Sequence, residues 1–210
     1  DTYVNKGYIE VGDKIIHNAY KGALGTISFQ TALNWSLNTG SVAAAQRLGD
    51  GKNINRQARD TMYKYYHDKF RMGEITGIEL SGEAAGRIVP PTEVEGNAVR
   101  YSNMTFGQGL NVTMVQAAAA FSSIVNGGKY YKPSIINGYV DAEGNFIKKE
   151  AAPAIDQVIK PETSKQMREM THTARGTFYS AVDKKGYYIG GKTGTSEVLV
   201  DGRYTMDQMV

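Results

Sequence analysis

The chain has 210 residues, 41% of them hydrophobic and 21% charged, with a formal net charge of +3. That length fits one substantial domain or a large part of a bigger one, and the balance favours a packed core over disorder. A nucleic-acid face is excluded, because the densest basic groups, Lys148-Lys149 and Lys184-Lys185, are short and sit beside turn residues.

Residues 1–27 are rich in Gly, Tyr and β-branched residues and read as loop with short extended pieces. Ser28 is placed to cap a helix over Phe29–Trp35. Asn38-Thr39-Gly40 interrupts it, and Ser41 then caps a second helix, Val42–Leu48, closed by Gly49. Ser36 and Asn38 therefore fall at a helix–helix junction. Met62, Tyr66 and Phe70 recur at four-residue spacing and predict a third helix, Arg56–Met72, ended by Gly73. Residues 74–111 carry many Gly and Pro and read as a loop-rich excursion. Thr113 caps the next predicted helix, Met114–Val125, whose apolar run is interrupted by Gln116, Ser122 and Ser123. Tyr130–Tyr131 and Ile135–Val140 read as strands, and a turn over 141–145 leads to a partner strand, Phe146–Lys149. Pro161 opens a helix to about Thr173. A strand, Tyr187–Leu199, follows, and Asp201-Gly202 turns it toward Arg203–Thr205. No linker or repeat divides the chain, so residues 1–210 read as one domain.

There is no cysteine, so disulfides and thiolate metal sites are ruled out. His17, His67 and His172 lack ligand spacing and read as surface or hydrogen-bonded residues, so no metal site is expected. No segment has the roughly 18 apolar residues of a membrane span, and no signal peptide is visible.

The most informative stretch is Lys192-Thr193-Gly194-Thr195. On a strand, Thr193 and Thr195 share one face, Lys192 acts from behind through its long stem, and Gly194 admits a second backbone. A lysine ammonium is a compact charge suited to a carboxylate, and a backbone N–H on such a strand can serve as an oxyanion donor. Far upstream, Ser36-Leu37-Asn38 reads either as polar punctuation at a helix end or as a proton relay with a substrate-orienting amide. Ser-x-x-Lys, a Ser-Asp-Asn-type triplet and Lys-Thr-Gly mark the serine enzymes that recognise penicillin, and two of these three elements occur here in order.

Further blocks extend the likeness. Gly22–Ser28 followed by Ala32-Leu33, then Thr76–Glu83 with Gly86, Phe106–Leu110 with Val112-Thr113 and Gln116, and Gly176-Thr177 all fit. The chain resembles the transpeptidase domain of a class B penicillin-binding protein, the monofunctional kind that serves cell division or elongation. The resemblance implies an α+β fold of the β-lactamase and transpeptidase type, an antiparallel sheet flanked by helical clusters. It also implies that Ser36 relays a proton, Asn38 holds the peptide or lactam side chain, and Lys192 supports the positive potential. Thr193 and Thr195, with Gly194 between them, would bind the donor's terminal carboxylate, and the Thr195 N–H would form half of the oxyanion hole. Leu37 departs from the commonest small residue at its position. No cofactor or metal is implied. The implied partners are peptidoglycan stem peptides and β-lactams, with a membrane anchor and a glycosyltransferase partner reached through regions outside the chain, on the extracytoplasmic side of the membrane.

The nucleophile departs from the pattern, since no serine is followed by lysine three residues later. Thr61-Met62-Tyr63-Lys64 has the spacing but the wrong residue and the wrong order. The expectation is a domain truncated at both ends, inactive alone, from a serine D,D-transpeptidase. A β-lactam-sensing module on the same fold is the alternative. A degenerate scaffold fits poorly with intact Ser36, Asn38 and Lys192, and a lactam hydrolase lacks a residue to activate the deacylating water.

Overall fold

A computed structural model describes residues 1–20, 22–194, 197–200 and 203–209, the last two segments by backbone alone. The chain forms two compact units. The first comprises Asp1–Asp60, Pro91–Gly109 and Glu169–Val210, and the second comprises Thr61–Pro90 and Leu110–Arg168.

The first unit opens with four short strands: β1 (Thr2–Asn5), β2 (Tyr8–Val11), β3 (Lys14–His17) and β4 (Gly25–Ser28). β1 pairs antiparallel with β4, Thr2 opposite Ser28, and β2 pairs with β3 as a hairpin. Helix α1 (Phe29–Asn34) starts where the sequence places it, because the Ser28 hydroxyl accepts the Thr31 N–H at 3.0 Å. Helix α2 (Asn38–Gln46) starts three residues before the predicted cap at Ser41. The cap comes from elsewhere in the fold: the Thr39 N–H donates to Asn18 Oδ1 at 3.0 Å, so Ser41 sits inside the helix. Asn18, Thr39 and Tyr3 join a polar network around the buried Asn5 amide. Gly40 lets the helices close up, since a Cβ there would lie 2.3 Å from that of Ala32. α2 packs against α1, β1, β2, β3 and a helix that the sequence reading missed, α4 (Ala98–Met104). Asn97 caps α4, and Tyr101 and Met104 bury its apolar side, but seven residues give too few turns for a readable periodicity.

In the second unit, α3 (Arg56–Tyr63, begun in the first unit) widens into a π-helical turn over Lys64–Lys69 instead of continuing as one α-helix to Met72. Helix α5 (Met114–Val125) has the predicted bounds. Thr113 and Gln116 form a reciprocal capping box at its start. The core here is Ala119, Tyr130 and Val158 with Phe70, Ile155 and Ile159 against them. Tyr130 forms a single bridge to Ile155 rather than a strand with Tyr131. The hairpin is β5 (Gly138–Val140) with β6 (Phe146–Lys148). β5 begins later than predicted because the Ile135 N–H donates to Glu79 and the Ile136 N–H to Ser134 Oγ.

Glu79 gathers this region. Its carboxylate accepts from Lys149 Nζ at 2.9 Å, Ser134 Oγ at 2.7 Å and the Ile135 N–H at 3.0 Å. These donors, Lys149 foremost, pull its pKa from 4.5 down to about 2. The unfolded chain therefore takes up this proton first, so the contact's stabilisation is complete above pH 4.5 and lost as pH falls through about 2. Protection of the β5 and β6 amides, taken relative to exchange from an unstructured chain at the same pH, should fall across that window in the native chain. Glu79→Gln should be less protected already at pH 6 and flat across it. A native profile that is flat there would remove the carboxylate from this role.

Helix α6 (Pro161–Tyr179) outruns its predicted end at Thr173, and its last part, from Glu169, belongs to the first unit. The predicted strand Tyr187–Leu199 is corrected. Only β7 (Glu197–Val200) is a strand, paired antiparallel with β8 (Arg203–Met209), while 187–194 is irregular. Backbone groups of that irregular run are engaged by α6: Ile189 O accepts from His172 and Arg175, and the Gly191 N–H donates to Thr171 O. The predicted turn at Asp201-Gly202 lies outside the described residues. The described strands thus form four antiparallel pairs among helices, an α+β arrangement.

Candidate active site

Ser36 owes its position to the way α1 ends. Trp35 is the C-cap, and the next residue, Ser36, has φ +53, in the left-handed region. The Ser36 N–H bonds Leu33 O at 3.2 Å and the Leu37 N–H bonds Ala32 O at 2.9 Å. This is the Schellman pattern, with Leu37 and Ala32 both buried. Glycine ordinarily holds the left-handed position, and a side chain there costs about 1–2 kcal/mol. Here the strained residue is the serine, and its hydroxyl is thrown outward between two helices. Ser36→Gly should therefore raise stability by about 1 kcal/mol relative to Ser36→Ala, because glycine relieves the strain and alanine retains it. Chemical denaturation of the two variants measures the difference. Equal midpoints would show that the left-handed turn stores no strain.

Lys192 meets this hydroxyl from 156 residues away, its Nζ 2.9 Å from Ser36 Oγ. The same ammonium donates to Thr193 O at 3.0 Å and Thr193 Oγ1 at 3.1 Å, so its three protons are all directed. The expectation that Lys192 acts from behind a strand is therefore replaced. The segment is not a strand, and Lys192 faces Ser36 directly. Partial desolvation pushes the Lys192 pKa below its ordinary value. Ser36, Lys192, Thr193 and Gly194 are exposed to solvent.

Asn38 is the first residue of α2, two positions from Ser36. Its Nδ2 donates to His17 O at 2.9 Å, which ties the triplet to the end of β3. Among the described residues Asn38 makes no hydrogen bond to Ser36 or Lys192, so the geometry joins two of the three predicted catalytic residues directly and holds the third beside them on the backbone. Thr195 lies outside the described residues.

The flank of the site is aromatic. Trp35 meets Phe178 edge to face, with ring centroids 5.1 Å apart, and His172 stacks on Tyr188 at 3.9 Å. Gln30 Nε2 reaches Met170 O at 3.0 Å. Together these contacts fasten α1 and the run before Lys192 to the same stretch of α6. A cation held on a hydroxyl, next to a second hydroxyl and a glycine, suits an acyl-transfer centre that takes a carboxylate ligand.

The model of the penicillin-binding protein transpeptidase domain matches residues 1–209. The chain belongs to this family. It is 36% identical over 207 residues to stage V sporulation protein D of Bacillus subtilis, covering 97% of the chain and 30% of that protein. It is 32% identical over 153 residues to the probable peptidoglycan D,D-transpeptidase PenA of Neisseria flavescens, covering 71% of the chain and 34% of that protein. Among solved structures, penicillin-binding protein 3 of Mycobacterium tuberculosis complexed with aztreonam superposes with TM-score 0.76 at 25% identity, over 99% of the chain and 46% of that one. The chain thus spans about a third of the length of these curated relatives.

The sequence reading missed the residues that hold the site. Asn18 and His17 secure the start of α2, and both lie in the stretch read only as short extended pieces. Arg175, three residues after His172 and so on the same face of α6, had a readable signal in that spacing.

Proposed function

We propose that the chain is part of a peptidoglycan D,D-transpeptidase of the serine type, a target of β-lactams. The reaction acylates a serine with the penultimate D-Ala carbonyl of a stem peptide, releases the terminal D-Ala and passes the acyl group to an amine on a neighbouring strand. The observation that carries this reading is the Lys192–Ser36 hydrogen bond between two motifs that the sequence keeps far apart.

Each group has a role in that chemistry. Lys192 donates to Ser36 Oγ, which leaves the serine's own proton free to pass to the leaving amine. The ammonium and the Thr193 hydroxyl present a cation and a donor to the peptide's terminal carboxylate. Gly194 leaves space for the incoming backbone, since among the described residues nothing lies within 4 Å of where a Cβ would stand. Asn38, fixed on His17 O, has its amide carbonyl to offer a substrate N–H. Thr195 would contribute the oxyanion N–H. The nucleophile is a Ser-x-x-Lys serine of the longer polypeptide, as no such motif occurs in these 210 residues. A membrane anchor and a glycan-polymerising partner belong to that longer protein as well, on the extracytoplasmic side.

Fluorescent penicillin tests the reading. It should label covalently a polypeptide that carries an upstream Ser-x-x-Lys together with this chain, and leave the 210-residue chain unlabelled. Covalent labelling of the chain alone would place the nucleophile inside it and overturn the assignment.

A further inference from the structure

We propose that Arg175 is a positioning residue for Lys192, fixing from α6 the irregular run that delivers the ammonium to Ser36. The inference rests on the reading of Ser36 and Lys192 as parts of the acyl-transfer site, and extends it to a residue outside both motifs.

Arg175 is 8% exposed, although it lies near the exposed end of α6. Its guanidinium works as a three-way clamp. Nε donates to Ile189 O at 3.2 Å, one terminal nitrogen to Tyr179 O at 3.0 Å, and the other to Asp183 Oδ1 at 2.5 Å. The first contact grips the chain three residues before Lys192, the second closes the end of the helix, and the third holds the short 3-10 turn (Ser180–Val182) that links them. The arginine stem also passes Gly191, where a Cβ would sit 3.8 Å from Arg175 Cγ. His172 adds a second donor to Ile189 O at 2.7 Å, and Thr171 O takes the Gly191 N–H at 3.2 Å.

Residues 187–194 lack strand pairing, so these contacts stand where a β-ladder would otherwise define the backbone. A planar fork that reaches three separated acceptors defines a position, whereas a lysine at the same place would supply one point charge. Site geometry tolerates little slack: a displacement of about 1 Å in a supporting shell can cost about 10²-fold in rate. Lys192 is exposed and long, and among the described residues its tip is held by Ser36 and Thr193. The backbone under it therefore has to be set by something else, and Arg175 touches that backbone on one side and the helix on the other.

The test compares Arg175→Ala, Arg175→Lys and Asp183→Asn with the native residue, in the polypeptide carrying an upstream Ser-x-x-Lys. The first readout is the pH dependence of Lys192 acetylation by acetic anhydride, followed by peptide mass spectrometry, together with the melting temperature. The second is the rate of acylation by fluorescent penicillin. Arg175→Ala should return Lys192 toward the ordinary lysine titration near 10.5 and lower acylation at least about tenfold. Arg175→Lys should fail to rescue either. Asp183→Asn, at a half-exposed carboxylate, should shift Lys192 in the same direction by less, and it decides the matter if Arg175→Ala does not fold. Native Lys192 titration in the folded variants, or full rescue by lysine, would overturn the proposal. A shifted Lys192 with unchanged acylation would uphold Arg175 and sink the acyl-transfer reading instead.

Discussion

Replacing Lys192 with alanine, in the polypeptide that supplies the nucleophile, is expected to lower acylation by penicillin about 10²- to 10³-fold, the scale of losing one preorganised electrostatic donor. Lys192 directs all three protons onto Ser36 and Thr193. Its removal frees the Ser36 hydroxyl to turn and takes away the cation that the proposed reaction offers to the donor peptide's carboxylate. Stability should change by no more than about 0.5 kcal/mol, because the side chain is exposed and leaves no buried cavity. The pH profile gives an independent check. Partial desolvation lowers the Lys192 pKa, so its charge is lost at lower pH than for an ordinary lysine, and acylation should decline on that alkaline limb. Lys192→Arg keeps the charge at any accessible pH and should remove the limb while lowering the maximum. An alkaline limb that survives in Lys192→Arg would assign the titration to another group.

Gln116→Ala is expected to destabilise the second unit by about 3 kcal/mol. Gln116 is fully buried at the start of α5. Its Oε1 accepts the Thr113 N–H at 3.2 Å and the Gly73 N–H at 3.3 Å, and its Nε2 donates to Ala85 O at 2.7 Å and to Glu74 O. One amide thus satisfies four backbone groups and ties the 73–85 loop to the helix. Alanine leaves all four without that partner, each at a cost of about 1–3 kcal/mol wherever water does not reach. Gln116→Glu should do no better, because a carboxylate cannot donate to the two carbonyls. Denaturant unfolding measures the loss, and a change under about 1 kcal/mol would mean that water replaces the amide at little cost.

Gln116 also shows how far the sequence could be read. In the linear pattern it is a polar interruption of an apolar run and the third residue after a threonine cap. The capping box follows from that spacing, and the helix bounds came out as expected. The bonds to Gly73, Glu74 and Ala85 did not follow, because they depend on where a loop 31 to 43 residues away comes to rest. The same contrast holds at α2. Ser41 has the local chemistry of a cap, yet Asn18 on another segment supplies the acceptor, and the helix starts at Asn38. For 187–194, β-rich composition argues for a strand, and hydrogen bonds to α6 take its backbone groups instead.

By itself the sequence determined the caps that lie next to their own helices and the order of motifs that marks the family. It also determined the helices whose caps and apolar periodicity lie within one stretch of chain, α1 and α5 above all. Only the tertiary structure decided that Lys192 faces Ser36, that a serine occupies the left-handed turn at the end of α1, and that Arg175 holds the run between α6 and the site. These are long-range matters. A side chain's type is local, but its partner depends on which distant backbone groups folding leaves within about 3 Å of it.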